Sequence, residues 1–161
     1  MKQALCGIAI WLAASAALAQ AIQQGQPAPA AVVEQIKEVP ATRIGTQAVR
    51  AVPPAALAGR QANGAAMAQE GRTLVVRDSD NLVGISANEL VIISADLDAV
   101  AAKVASLQLA GAQTHAYPHL KLLVVKTARF EQLETVRDRV ATAFPEAKFN
   151  LPVTYFPRKP R

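Results

Sequence analysis

From residue 89 to residue 156 the apolar side chains switch repeatedly between the spacing of a strand and the spacing of a helix, and this alternation constrains the fold most. Glu89-Leu90-Val91-Ile92-Ile93-Ser94 is a short apolar run of the kind a buried strand needs. Leu97, Val100, Ala101, Val104 and Leu107 then recur every three or four residues, which predicts one apolar helix face over 96–110. Ser94 or Asp96 can cap its start and Gly111 can end it. Residues 112–117 and 120–127 form a second pair of strand-like runs, joined across Pro118 and His119. Helical spacing returns at Phe130, Leu133, Val136, Val140 and Phe144, with Thr127 as a candidate cap and Pro145 as the stop. Phe149, Leu151, Val153 and Tyr155 alternate with period two, and Pro152 within them signals an edge position or a break.

The predicted order is β-α-β-β-α-β. Two helices with one apolar face each cover one side of an antiparallel sheet, which is an α+β, ferredoxin-like sandwich. No helix remains for the other face, so that face is expected to meet water or a partner. Residues 73–77 and 82–86 are β-prone, and Asp78-Ser79-Asp80-Asn81 between them is a turn signal. A small hairpin is expected there, extending the sheet or shielding part of it.

Residues 20–72 differ in composition. They contain no aromatic residue but hold Pro27, Pro29, Pro40, Pro53 and Pro54 among many Ala, Gln and Gly. Such a stretch buries little large apolar surface against its ordering entropy, so a flexible linker is expected, with transient helix near Val32, Val33, Ile36 and Val39. The first residues read as an address. Lys2, the apolar run 5–12 and Ala17-Leu18-Ala19 match a signal peptide cut after Ala19, so residues 1–19 are expected to be removed and the rest exported to the periplasm or outside the cell. The expected domains are then 1–19, 20–72 and 73–161.

With 161 residues, 52% of them apolar, the chain suffices for one modest domain. Cys6 is the only cysteine, which excludes a disulfide framework and a cysteine zinc site. The net charge of +5 invites nucleic acid, but no RNP-type aromatic motif or basic helix accompanies it, so no nucleic-acid partner is expected. No membrane partner is expected after cleavage, because no later run is long and apolar enough. Asp78-Ser79-Asp80 with Glu89 only partly matches a calcium loop, since Leu82 and Val83 stand where an oxygen ligand and a glycine are needed. His115 and His119 lack a third ligand and read as polar residues near a turn. No G-x-S-x-G, G-x-G-x-x-G or P-loop follows a strand, and Glu131, Glu134 and Asp138 interleave with Arg137 and Arg139 as on a solvated helix face. No cofactor, no metal and no catalytic residue is assigned, and an enzyme is not expected.

After the last strand the chain reads Tyr155-Phe156-Pro157-Arg158-Lys159-Pro160-Arg161, a basic, proline-rich end that should stay extended. Residues 89–161 resemble the subtilisin propeptide family, which includes protease inhibitors and intramolecular chaperones. The resemblance lies in Glu89-Leu90-Val91-Ile92 as opening strand, Ala110-Gly111-Ala112 leading into the second strand, 120–126 as central strand, and Phe144-Pro145-Glu146-Ala147 before the last strand. It departs from the family in having no protease domain after it and in its Pro-Arg-Lys-Pro-Arg charge run. The resemblance implies a partner, an exported subtilisin-type serine protease, inhibited or helped to fold in trans. It implies docking through the open sheet face, with the tail as an added strand in the substrate cleft. The implied protease-binding residues are Val153, Tyr155, Phe156, Pro157, Arg158, Lys159, Pro160 and Arg161. The alternative is a non-enzymatic adaptor or structural module of an envelope or secretion complex, docking through the hairpin at 73–86, with the tail dispensable.

Overall fold

The computed structural model describes residues 21–58 and 71–156. The signal-peptide expectation and the tail residues Pro157, Arg158, Lys159, Pro160 and Arg161 fall outside them. The described elements run in the order α1 (Ala30–Ile36), β1 (Thr42–Ile44), β2 (Gln47–Ala51), α2 (Pro54–Leu57), β3 (Thr73–Arg77), β4 (Val83–Ser86), β5 (Glu89–Ile93), α3 (Leu97–Ser106), β6 (Gln113–Tyr117), β7 (Leu122–Lys126), α4 (Gln132–Ala143), β8 (Lys148–Asn150) and β9 (Val153–Thr154). The fold is α+β with two antiparallel sheets, one ordered β1-β2-β3-β4-β9 and the other β6-β7-β5-β8.

Local chemistry explains the helix and turn positions. The Asp96 side chain accepts from the Ala99 N–H at 3.0 Å and so caps α3. Thr127 does not cap α4, as its hydroxyl donates to the Arg129 carbonyl at 2.9 Å and the helix begins only at Gln132. The β3–β4 hairpin turns where expected: the Asp80 carboxylate accepts from the Leu82 N–H at 3.2 Å, and Asn81 takes the left-handed φ of 57° that asparagine tolerates. A single 3₁₀ turn (Pro118–Leu120) and a left-handed Lys121 join β6 to β7.

The flexible-linker expectation for 20–72 is corrected over residues 21–58. Ile22, Val32, Ile36, Val52 and Ala56 are buried together with Leu74, Val76, Val83 and Ile85 on one face of the five-stranded sheet. The prolines do not loosen this stretch. Pro29 precedes the first residue of α1 and Pro54 opens α2, positions where a missing N–H costs nothing. The boundary at residue 73 is corrected too, because β2 pairs with β3 through Val49↔Arg77, Arg50↔Val76 and Ala51↔Val75. The hairpin is the centre of its own sheet, not an appendage of the other.

The larger core lies between the sheets. Ile44, Val49 and Val75 pack with Leu90, Ile92, Leu123 and Val125 and with Val100, Val104, Leu133, Val136 and Val140 from α3 and α4. The period-two run at 149–155 is real but serves two sheets. Its first part pairs with β5 as β8, its second part pairs with β4 as β9, and the crossing falls at Leu151-Pro152. Leu151 is fully buried at that crossing, which fixes the chain where Pro152 ends the first ladder.

Candidate functional site: the open face of the four-stranded sheet and the C-terminal strand

Strand pairing sorts the four-stranded sheet into two faces, because residues paired across antiparallel strands point the same way. Leu90, Ile92, Leu123 and Val125 face the helices and are buried. The other face carries Lys148–Ile93–Leu122–Tyr117 in one row, Asn150–Val91–Val124–His115 in the next, and Glu89–Lys126–Gln113 in the third. Its middle is apolar and its rim polar. Ile93 is 43% exposed and Tyr117 37%, while Val91, Leu122 and Val124 are half-buried. The His115 and Tyr117 rings meet edge-on at 4.7 Å. Beside Ile93 a groove of about 450 Å³ opens between Ser94, Lys121, Phe144, Pro145 and Lys148.

Val153 and Tyr155, expected to fill a protease's subsites, belong to the fold instead. Val153 pairs with Ser86 and packs against the main core. Tyr155 lies over Gly84, where a Cβ would come within 2.8 Å of its ring and 2.5 Å of the Val153 side chain. Its hydroxyl donates to the Gln47 side-chain oxygen at 3.0 Å, and the Arg77 guanidinium sits 4.5 Å from the ring centre. Arg77 is in turn held by Asp80 through Nε–Oδ1 at 2.8 Å and a second contact at 2.5 Å. That hydrogen-bonded pairing keeps the Asp80 carboxyl below its ordinary range and raises Arg77. Burial pushes the Tyr155 phenol up. This cluster closes the five-stranded sheet; Val153 and Tyr155 are not free to enter a cleft. Phe156 is 68% exposed. The docking set inferred from the tail thus shrinks to Phe156 among the described residues.

The adaptor reading puts its surface on the hairpin at 73–86. There Leu74, Val75, Val76, Val83, Gly84, Ile85 and Ser86 are all buried, so that hairpin presents mainly its turn. His115 lies on β6 and His119 in the following 3₁₀ turn, and no group of three or more His, Cys, Asp or Glu able to hold a metal occurs among the described residues. No described helix is long and apolar enough to cross a membrane. No family model matches the chain, and no curated protein or solved structure matches it.

Proposed function

We propose that this chain is an exported, non-enzymatic protein-binding module that docks another folded protein on the open face of β6-β7-β5-β8. Residues 89–150 are read as a ferredoxin-like sandwich, a reading supported by the strand order β6-β7-β5-β8 with α3 between β5 and β6 and α4 between β7 and β8. The observation that carries the proposal is the apolar strip of Ile93, Val91, Leu122, Val124 and Tyr117, which no element among the described residues covers and which is rimmed by Lys126, Lys148, Glu89 and Gln113. An apolar centre with a polar rim on a regular sheet is the composition of a docking patch, and a rigid sheet loses little conformational freedom on binding. Export after Ala19 fits the sequence of the first residues and leaves a chain without cysteine.

Two forms of this reading divide on the partner. A subtilisin-type protease would take the open face on its surface and residues from Phe156 onward in its cleft; the exposure of Phe156 supports it. An adaptor for an envelope or secretion complex would use the face alone; the internal commitment of Val153 and Tyr155 favours it. One experiment separates them. A photo-crosslinking residue is placed at Ile93, and another at Asp138 on the helix side as control, in the exporting cell. In parallel the purified chain is titrated against a subtilisin-type protease with a chromogenic peptide. Adducts at Ile93 but not at Asp138 are expected. Inhibition relieved by ending the chain at Phe156 selects the protease form, and no inhibition selects the adaptor. Absence of adducts at Ile93 rejects the docking face in both forms.

A further inference from the structure

The edges of the two sheets are not closed alike. β8 has three residues, and its outward carbonyl at Phe149 is covered by the β1–β2 turn. Gly45 there has φ +59°, and a Cβ on it would come within 2.6 Å of that oxygen. β9 has two residues; the Gln24 side-chain amide donates to the Thr154 carbonyl at 2.7 Å, and Gly25 lies against the Tyr155 carbonyl. β1 has three residues and carries Arg43. β6 is unlike these. Its five residues, Gln113-Thr114-His115-Ala116-Tyr117, are all exposed, contain no lysine, arginine, acid or proline, and pair with β7 without a bulge. Proteins blunt such an edge with charge, proline, bulges or a covering segment. None of these protects β6 among the described residues.

The neighbouring ladder shows which groups of β6 point outward. The Ser94 N–H donates to the Lys121 carbonyl at 3.1 Å and the Thr127 N–H to the Asn88 carbonyl at 2.9 Å, extending the β5–β7 register at both ends. Bonded and unbonded pairs alternate along an antiparallel ladder. Leu123 and Val125 therefore turn their main-chain groups toward β5, and Leu122, Val124 and Lys126 turn theirs toward β6. Tyr117, His115 and Gln113 are satisfied by these three. Thr114 and Ala116 direct their N–H and C=O groups to the free side.

We infer that β6 is a self-association edge, to which a second copy of this chain adds antiparallel about a two-fold axis at His115. In that register Thr114 exchanges both main-chain hydrogen bonds with Ala116 of the partner subunit, and Ala116 does the same with Thr114 of the partner subunit. His115 faces His115 of the partner subunit across the axis. The edge selects its own image because its ends match. Ala112 turns its N–H back to the Leu109 carbonyl at 3.1 Å, and Pro118 has no N–H to give. These two blocked residues oppose each other in this register, so each strand stops where the other stops. A shift by two residues would set a blocked residue against Thr114 or Ala116 and waste a bond. No charged side chain of the strand meets its like. The pairing joins the two four-stranded sheets into one, with both open faces on the same side. It does not depend on what the open face binds.

The test is sedimentation velocity of the full chain over a concentration series. A monomer–dimer equilibrium is expected. His115→Lys and His115→Asp each set like charges opposite one another and should each weaken the dimer by about fivefold or more. Mixing the two variants should restore association, since each then faces the opposite charge. Thr114→Pro removes an outward N–H and leaves the β6–β7 bonds intact, so it should give a monomer with an unchanged melting transition. A chain that stays monomeric throughout the series overturns the inference. So does a dimer that ignores the two charge variants, or a failure of their mixture to reassociate. Should Thr114→Pro unfold the chain, the charge exchange at His115 decides alone.

Discussion

The five-stranded sheet buries side chains on both faces, against α1 and α2 on one and against the shared core on the other, whereas the four-stranded sheet buries only its helix side. The contrast is visible in two neighbouring residues of β5: Ile92 is inaccessible to water, and Ile93 is 43% exposed. One sheet is finished by its own chain, through α1, α2 and the 151–155 segment. The other keeps one face without a cover among the described residues. Residues 21–58 therefore supply two strands of the first sheet and, through Ile22, α1 and α2, its cover, whereas the open face of the second sheet has no such cover among the described residues.

The comparison breaks most completely if the cover is dispensable. Deleting residues 21–58 removes β2 from β3 and exposes Leu74, Val76, Val83 and Ile85, so the cooperative melting transition should vanish. A retained transition would restore 73–161 as an independent domain. Next in size is the pair within β5: Ile92→Ala should cost about 2–5 kcal/mol in denaturant titration, and Ile93→Ala should stay within about 1 kcal/mol. Equal losses would mean that the open face is covered. Gly84→Ala drives a methyl into Val153 and Tyr155 and should cost about 1–3 kcal/mol. Tyr155→Phe removes the bond to Gln47 and should cost about 0.5–1.5 kcal/mol by the same titration. Because burial raises the Tyr155 phenol, its contribution is complete below its ordinary value of 10.0 and is lost as pH climbs through the raised one. The Tyr155→Phe variant should lack that alkaline limb in melts followed against pH. The smallest effect belongs to Asp80, whose carboxyl is lowered chiefly by its hydrogen bond to Arg77. Its contribution is present above the ordinary 3.8 and fades as pH falls through the lowered value, so Asp80→Asn should flatten the acid limb slightly.

Much of the second half is legible in the sequence because large aliphatic residues there carry clean periodicities. Leu133, Val136 and Val140 announce one helix face, and Leu90, Ile92, Leu123 and Val125 announce buried strand positions. The first half hides its structure because its core is assembled from isolated apolar residues set among small ones. Ile22, Val32, Ile36, Ile44 and Val49 lie too far apart to form a run; the first three join the smaller core and the last two the larger one, on opposite faces of the sheet in which β2 pairs with β3. Proline-rich composition points to disorder there, yet Pro29 and Pro54 sit where helices begin. The open face is foreseeable from two helices having one sheet to cover. The fate of Val153 and Tyr155 is not, since alternation tells that a strand is half-buried without telling in which sheet.

The crossing at Leu151-Pro152 gives the molecule a late latch. A ribosome delivers β3 and β4 well before it delivers β9, yet β4 meets β9 only across a long stretch of chain. Until residues 153–155 emerge, Gly84 has no aromatic lid and the outer margin of β4 stays unzipped. A nascent chain, or one cut before residue 151, would thus remain openable from that side, and the arrival of residues 151–155 would be the event that locks the two halves together.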